Sequence, residues 1–321
     1  MTNGFVYCLW LSGEKAGQSL DTESLRQWTP EQGCIWVHLN YHAKEAREWL
    51  QGSDLPGLEI DALLSRDTRP RALANESGIL LALRGVNLNP DSAPEDMVAL
   101  RLYADKHRII SACRRELQSV KQLAAQIVSK TGPATPSEFI LSLCDKLTLI
   151  KTDFINSLEE KVDDLEEQIV TGNSRDVRNE IAELRRQTVM VRRYLAPQRE
   201  AFAALQTETG HLFKKSEQLR MREIRDRLTR AIEDLDALKD RASVTHEELM
   251  SRQSEELNQR LYFLSLVTAI FLPLGFLTGL LGVNIGGIPG ADTPWAFALF
   301  CVILVVLVLL QLWLFYRKRW L

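Results

Sequence analysis

The sequence predicts an α/β domain followed by a stalk of long helices and two C-terminal transmembrane helices. Three observations predict it. Short β-rich stretches alternate with helical ones only over residues 1–132. Helical spacing of apolar residues then takes over, and no proline or glycine interrupts the chain between Gly210 and Pro273. Two charge-free runs, 261–291 and 293–316, close the sequence.

Bulk composition bounds the rest. A chain of 321 residues, 45% hydrophobic and 25% charged, can bury a sizeable core in about two domains. Its formal net charge of −3 gives no support to nucleic-acid binding. The start, MTNGFVYCLW, has neither a basic stretch nor a long apolar core with a cleavage site, so no secretory signal is expected and the polar part is expected in the cytosol. Five cysteines at 8, 34, 113, 144 and 301, without CxxC pairs, suit a reducing compartment. No GxxxxGK[ST] motif or Gly-rich turn after a strand is present, so neither nucleotide use nor any cofactor or enzymatic step is expected.

The strands are expected at FVYCLWL (5–11), CIWVHLN (34–40), GILLALRGV (78–86), MVALRLY (97–103) and RIISACR (108–114). AKEAREWL and LEIDALL, between the second and third, have helical spacing. The Gly132-Pro133 step closes this cytosolic α/β domain, 1–132. Thr135-Pro136-Ser137-Glu138 then supplies a capping hydroxyl, a proline at the first helical position and a glutamate three residues after the cap. The helix it opens carries apolar residues at 140, 143, 147, 150, 154, 158, 162, 165 and 169 and ends at Thr171-Gly172. A second helix opens at Asn173 or Ser174, with a stripe of Val177, Ile181, Leu184, Thr188, Val191, Leu195, Phe202 and Leu205 and a kink expected at Pro197. A third begins near Ser216, with Met221, Ile224, Leu228, Ala231, Leu235, Leu238, Ala242, Thr245 and Leu249 in 3-4 spacing. Arg252 and Glu256 would come next in that seam, so its partner surface ends there, while the helix itself continues to about 281, roughly 100 Å at 1.5 Å per residue. Residues 133–260 thus form the stalk.

Within 261–321, the segments 261–281 and 295–316 each match the ~20 residues that a bilayer core requires, and 282–294 is the connecting loop. Arg252 and Arg260 precede the first span, Arg317, Lys318 and Arg319 follow the second, and the loop has no Lys or Arg. Both termini are therefore expected on the cytoplasmic side of a bacterial inner membrane, with the loop external. Trp295, Trp313 and Trp320 sit near the ends of the second span, where indoles favour the interface.

The two spans differ in kind. Leu261, Ser265, Thr268, Leu272, Gly275, Gly279 and Gly282 share one face of the first span, in 4-3-4-3-4-3 spacing. Polar atoms in lipid are unfavourable unless they face protein or a water-filled cavity, which makes this stripe a candidate pore lining. The alternative is that small residues merely permit close helix packing. The second span is Val, Leu and Ile with Gln311 as its one strongly polar residue, as expected of an outer, lipid-facing helix. Two helices cannot enclose a pathway, so transport would need a ring of subunits.

Here a resemblance enters. Gly282-Val283-Asn284, closing the first of two C-terminal spans after a very long helix, resembles the signature of the CorA-type divalent cation transporters. The extended GVNIGGIPG (282–290), with TRPR (68–71), VRRYLAPQRE (191–200) and FLPLGFLTGLLG (271–282), resembles the ZntB zinc-transporter branch of that family over essentially the whole chain. The resemblance implies a CorA-like funnel-shaped homopentamer, a central pore lined by the first span and an outer selectivity ring of Gly282, Val283 and Asn284. It implies divalent cations as cargo, and in the zinc branch uptake of Zn2+ coupled to protons. Val283 stands where methionine is common, which weakens transfer of the magnesium channels' ion preference.

No His, Cys, Asp or Glu lies in the first span, so the stripe offers no zinc cage. Five Asn284 side chains could instead present amide oxygens to a hydrated cation, an outer-sphere mode suited to ions that lose water reluctantly; a helix C-terminal cap is the plainer role. Asp292, the one acid of the loop, is a weak external attractor, screened beyond a Debye length of about 8 Å. Leu261 and Leu272 could form dewetting constrictions. Pro273 frees a backbone carbonyl near Ala269 and should bend the helix.

In the soluble part Cys34, His38 and His42 are four apart, yet on a strand such residues stand about 13 Å apart, so His38 is expected as a plain sheet residue. The acidic run Glu159-Glu160, Asp163-Asp164, Glu166-Glu167 is expected as a solvated helix face that could also attract cations. His211 and His246 could carry protons or bind zinc transiently, with no second ligand fixed for either. Two rivals stand beside zinc transport: a magnesium or cobalt channel of the same architecture, and a membrane-tethered coiled-coil scaffold without flux.

Overall fold

A computed structural model describes residues 4–65, 69–75, 78–171, 177–208, 212–282, 290 and 293–318. The chain divides into two compact units, Met1–His246 and Glu247–Leu321.

The first unit is built on a six-stranded sheet. Its elements run β1 (Phe5–Trp10), α1 (Thr22–Arg26), β2 (Ile35–Asn40), α2 (Lys44–Gln51), α3 (Gly57–Leu64), β3 (Arg71–Ala74), β4 (Ile79–Gly85), β5 (Val98–Ala104), β6 (Arg108–Cys113) and α4 (Gln118–Val128). The strand order is β1-β2-β6-β5-β4-β3. Only β2 and β6 run parallel, with Val37 opposite Ile110 and His38 opposite Ser111. The five strands expected from the sequence are all present. β3 was not expected: Arg-Ala-Leu-Ala has little strand propensity, and it is a short, half-exposed edge held by its pairing with β4. Also unforeseen is α4, although Val120, Leu123, Ala124 and Ile127 bury one helical face.

Alternation in the strands feeds two cores. Val37, Leu39, Ile110 and Ala112 join Leu50 and Leu63 of α2 and α3 on one face. On the other, Trp36 packs on Phe139 with ring centroids 4.9 Å apart. Gly85 gives room there: a Cβ would stand 2.7 Å from Leu117 Cδ2 and 2.8 Å from Leu147 Cδ2, and those side chains would have to shift.

Three long helices follow: α5 (Pro136–Thr171), α6 (Val177–Glu208) and α7 (Lys215–Leu281). The expected start of α5 is made: Glu138 N–H donates to Thr135 Oγ1 (3.3 Å), and the Glu138 carboxylate accepts from Ala134 N–H (3.0 Å), one residue before the cap. Every residue of the stripes expected on α6 and on α7 up to Leu249 is buried, and α6 stays helical through Pro197. On α5 the buried face is rotated slightly from expectation. Lys151 and Ile155 are buried, while Ile150 and Phe154 are half-buried. Spacings of 4-4-3 and 3-4-4 from Leu147 to Leu158 both satisfy the helix, and tertiary packing selects the first.

Polar contacts link the long helices to one another and to the sheet. Asp145 accepts from Arg227 (2.6 Å), Glu217 from the Ser137 hydroxyl (2.7 Å), and Arg192 pairs with Asp236. Gln198 of α6 accepts at 2.9 Å from Arg84 N–H, where β4 outruns the four-residue β3. The second unit holds the rest of α7 and α8 (Ala296–Arg317), both long and apolar enough to cross a membrane.

Candidate pore-lining surface

α7 and α8 touch along one face each. On α7 the half-buried residues between 261 and 282 are Leu266, Val267, Ala269, Ile270, Pro273, Leu274 and Leu277. On α8 they are Ala296, Phe300, Leu304, Leu307, Val308, Gln311 and Phe315. At 100° per residue the seven stripe residues of α7 centre roughly 170° from its α8-facing side. All seven, Leu261, Ser265, Thr268, Leu272, Gly275, Gly279 and Gly282, are exposed.

That geometry excludes one version of the packing alternative, in which small residues let α7 approach α8. A Cβ added at Gly275 or Gly279 would meet nothing within 4 Å. Gly275 lies at the rim of the stripe and also borders a shallow apolar groove of about 480 Å³ with Leu304, Val305 and Val308. Gly282 has a local role as well: it donates to Thr278 O at 2.9 Å, and a Cβ there would stand 2.8 Å from the same oxygen. The Thr268 hydroxyl donates to Leu264 O at 2.8 Å, so its proton is spent within the helix while its oxygen lone pairs stay on the stripe. Leu261 and Leu272 are 52% and 67% exposed, positions from which apolar side chains can project into a pathway. Val283, Asn284 and Asp292 lie outside the described residues.

The soluble candidates resolve differently. His38 is buried, as a sheet residue should be. Its Nδ1 lies 2.7 Å from Ser111 Oγ and its Nε2 3.2 Å from Cys113 Sγ, while Trp36 Nε1 donates to the same Ser111 oxygen at 2.8 Å. Burial pushes His38 down to about 3, so it stays neutral. His42 is exposed on a turn, and no three His, Cys, Asp or Glu among the described residues could hold a metal. Burial also pushes the Cys8, Cys34, Cys113 and Cys144 thiols up to about 12, away from thiolate chemistry.

Half of the acidic run on α5 is engaged. Arg241 of α7 pairs with Asp163 (2.6 Å) and Glu166 (2.8 Å), with Glu159 at 4.0 Å. Glu160, Asp164 and Glu167 are exposed. His246 is half-buried and His211 lies outside the described residues.

Two features escape a reading of periodicity alone. Lys151 is fully buried, its Nζ has no hydrogen-bond partner among the described residues, and burial pushes its amine down to about 7, with Cys144 acting in the opposite sense. Gln311 of α8 donates to Ala269 O of α7 at 3.3 Å. The sequence flags both ends of that bond, a lone amide in α8 and a proline at 273, but not that they meet.

Residues 31–318 match the family described as CorA-like Mg2+ transporter protein. The chain is 36% identical over 317 residues to the zinc transport protein ZntB of Yersinia pseudotuberculosis, covering 98% of this chain and 96% of that one. It is 36% identical over 323 residues to the divalent cation transporter CmaX of Pseudomonas aeruginosa, covering 99% and 97%. A solved structure of full-length CmaX superposes with a TM-score of 0.86 at 36% identity, covering 100% of this chain and 99% of that one.

Proposed function

We propose, from the premise that this chain belongs to the CorA-like Mg2+ transporter protein family, that it carries divalent cations through a central membrane pathway, with zinc uptake coupled to protons as its principal activity. The observation that carries this reading is the stripe on α7: seven small, hydroxyl or leucine residues, all exposed, on the side away from α8. One subunit offers two spans, so the pathway is the axis of a homopentamer, with α7 inside and the apolar α8 against lipid.

The functional division is an α/β domain (1–132), a long-helix stalk (133–260) and the membrane part (261–321). Both termini lie on the cytoplasmic side of the inner membrane, a reading that the Arg and Lys residues flanking the spans support. Thr268 and Ser265 line the path with hydroxyl oxygens, Leu261 and Leu272 narrow it, and Gly275 and Gly279 leave room for a hydrated ion. Gly282, Val283 and Asn284 form the mouth, where a ring of amides orders the hydration shell of the ion. Asp292 adds weak attraction outside. With no nitrogen, sulfur or carboxylate ligand on the stripe, the ion passes hydrated and is not stripped and caged. Zinc is favoured by the ZntB relatives; magnesium or cobalt conduction by the same pathway is the second reading, favoured by the family's description.

Zinc uptake into proteoliposomes, with and without an inward proton gradient, tests cargo and coupling together. Uptake independent of the gradient removes the coupling, and block by hexaammine cobalt without zinc competition selects the magnesium or cobalt reading. Asn284→Ala is expected to abolish uptake with the oligomer intact; unaltered uptake would remove the amide ring from the mechanism. Absence of flux for any divalent cation would leave a tethered scaffold.

A further inference from the structure

An amide inside a membrane span is costly unless it finds a polar partner in protein or water. α8 has one such side chain, Gln311, among Val, Leu, Ile and Phe. α7 has the complementary need. Pro273 lacks an N–H, so the carbonyl four residues earlier, Ala269 O, loses its regular i+4 donor. The two meet: Gln311 Nε2 donates to Ala269 O at 3.3 Å. A carbonyl only accepts, which fixes the nitrogen of the amide toward α7.

Other donors nearby are committed. The Thr268 hydroxyl donates to Leu264 O at 2.8 Å and the Thr278 hydroxyl to Leu274 O at 2.9 Å. The second amide atom, Gln311 Oε1, is buried with no donor among the described residues. The side chain is therefore held to α7 by a single bond, made at the one carbonyl that proline has released.

We propose that Gln311 is a positioning residue for the pathway: it latches α8 to α7 at the turn before Pro273 and so sets the direction of the segment carrying Gly275, Gly279 and Gly282. The transport consequence rests on the reading given under Proposed function; the latch itself does not. A bond of this class in a membrane shifts a conformational equilibrium roughly threefold. Such a latch holds one orientation preferentially and still opens.

The test is a double-mutant cycle in the full-length protein. Pro273→Ala restores the N–H that Ala269 O lacks and makes the latch redundant; Pro273→Leu does the same if the alanine variant fails to assemble. In the parent background Gln311→Leu is expected to lower initial zinc flux roughly threefold and to raise amide exchange over 269–277 by a similar factor. In the Pro273→Ala background the same substitution is expected to change neither. An equal effect in both backgrounds, or no effect on exchange in the parent, overturns the latch. If the parent moves no divalent cation, the transport reading falls while the exchange cycle still decides the latch. Loss of exchange protection with flux unchanged would make Gln311 a packing group only and overturn its positioning role.

Discussion

From Met221 to Leu249 the 3-4 stripe of α7 is buried at 4% exposure or less, and from Leu261 to Gly282 a stripe of the same spacing on the same helix is exposed throughout. Arg252 and Glu256, which fall on the seam between them, mark the change. Spacing is common to both and says only which residues share a face. Composition separates them. The first stripe is Met, Ile, Leu and Ala with one buried Thr, closed by α5 and α6 through pairs such as Arg227–Asp145. The second has three glycines and two hydroxyls, and α8 lies on the opposite side. A face of that composition, left open by its own subunit in the charge-free part of the helix, is suited to other copies and a wetted axis rather than to a dry core.

Truncating one leucine in each stripe separates them most sharply. Leu228→Ala is expected to lower stability by about 2–5 kcal/mol, since it opens a cavity in the fully buried seam. Leu272→Ala is expected to stay within about 0.5 kcal/mol, because the side chain is 67% exposed among the described residues, and to alter ion flux instead. Thermal melts of the full chain in detergent beside flux in liposomes read both. A large stability loss at Leu272 with unchanged flux would make the second stripe a packing face like the first.

A smaller effect sharpens the buried side. Lys151 is protonated in folded and unfolded chains below about pH 7, where its burial penalty is constant and greatest. Between about 7 and its ordinary 10.5 only the unfolded chain keeps the proton, so this residue makes stability rise with pH across that window. Lys151→Met is therefore expected to stabilise the protein at pH 7 by about 1–3 kcal/mol, the penalty of an unpartnered buried donor. The gain should shrink toward pH 10.5. A gain that does not vary between those values would mean the amine is neutral or paired throughout.

These two residues also show what the sequence made legible. Leu228 could be placed in the core because a nine-member stripe fixes the helical phase. Lys151 could not, because Ile150 and Phe154 offer α5 an equally apolar face, and only packing against its neighbours selects between them. β3 was invisible for a related reason: Arg71-Ala72-Leu73-Ala74 is a strand by virtue of β4 beside it. Of the candidate site, the stripe and the consequence of Pro273 for Ala269 were legible from spacing and the missing N–H. The partner of that carbonyl was not, since the relative rotation of α7 and α8 is absent from either helix's own pattern. The acidic run read as solvated because its spacing does not reveal Arg241, 75 residues beyond Glu166.

Arg241 gives the smallest effect. It ties α7 to α5 through Asp163 and Glu166, but its side chain is 36% exposed and theirs 60% and 42%, so water and salt screen the attraction. Arg241→Ala is expected to lower stability by about 1 kcal/mol or less. Because these charges sit near the surface, the loss should fade as salt rises toward about 1 M, where the Debye length is near 3 Å. Melts of parent and variant across a salt series check it. A loss that persists at high salt would place the aliphatic stem of Arg241 in the seam, with its packing as the main contribution and the ion pairs secondary.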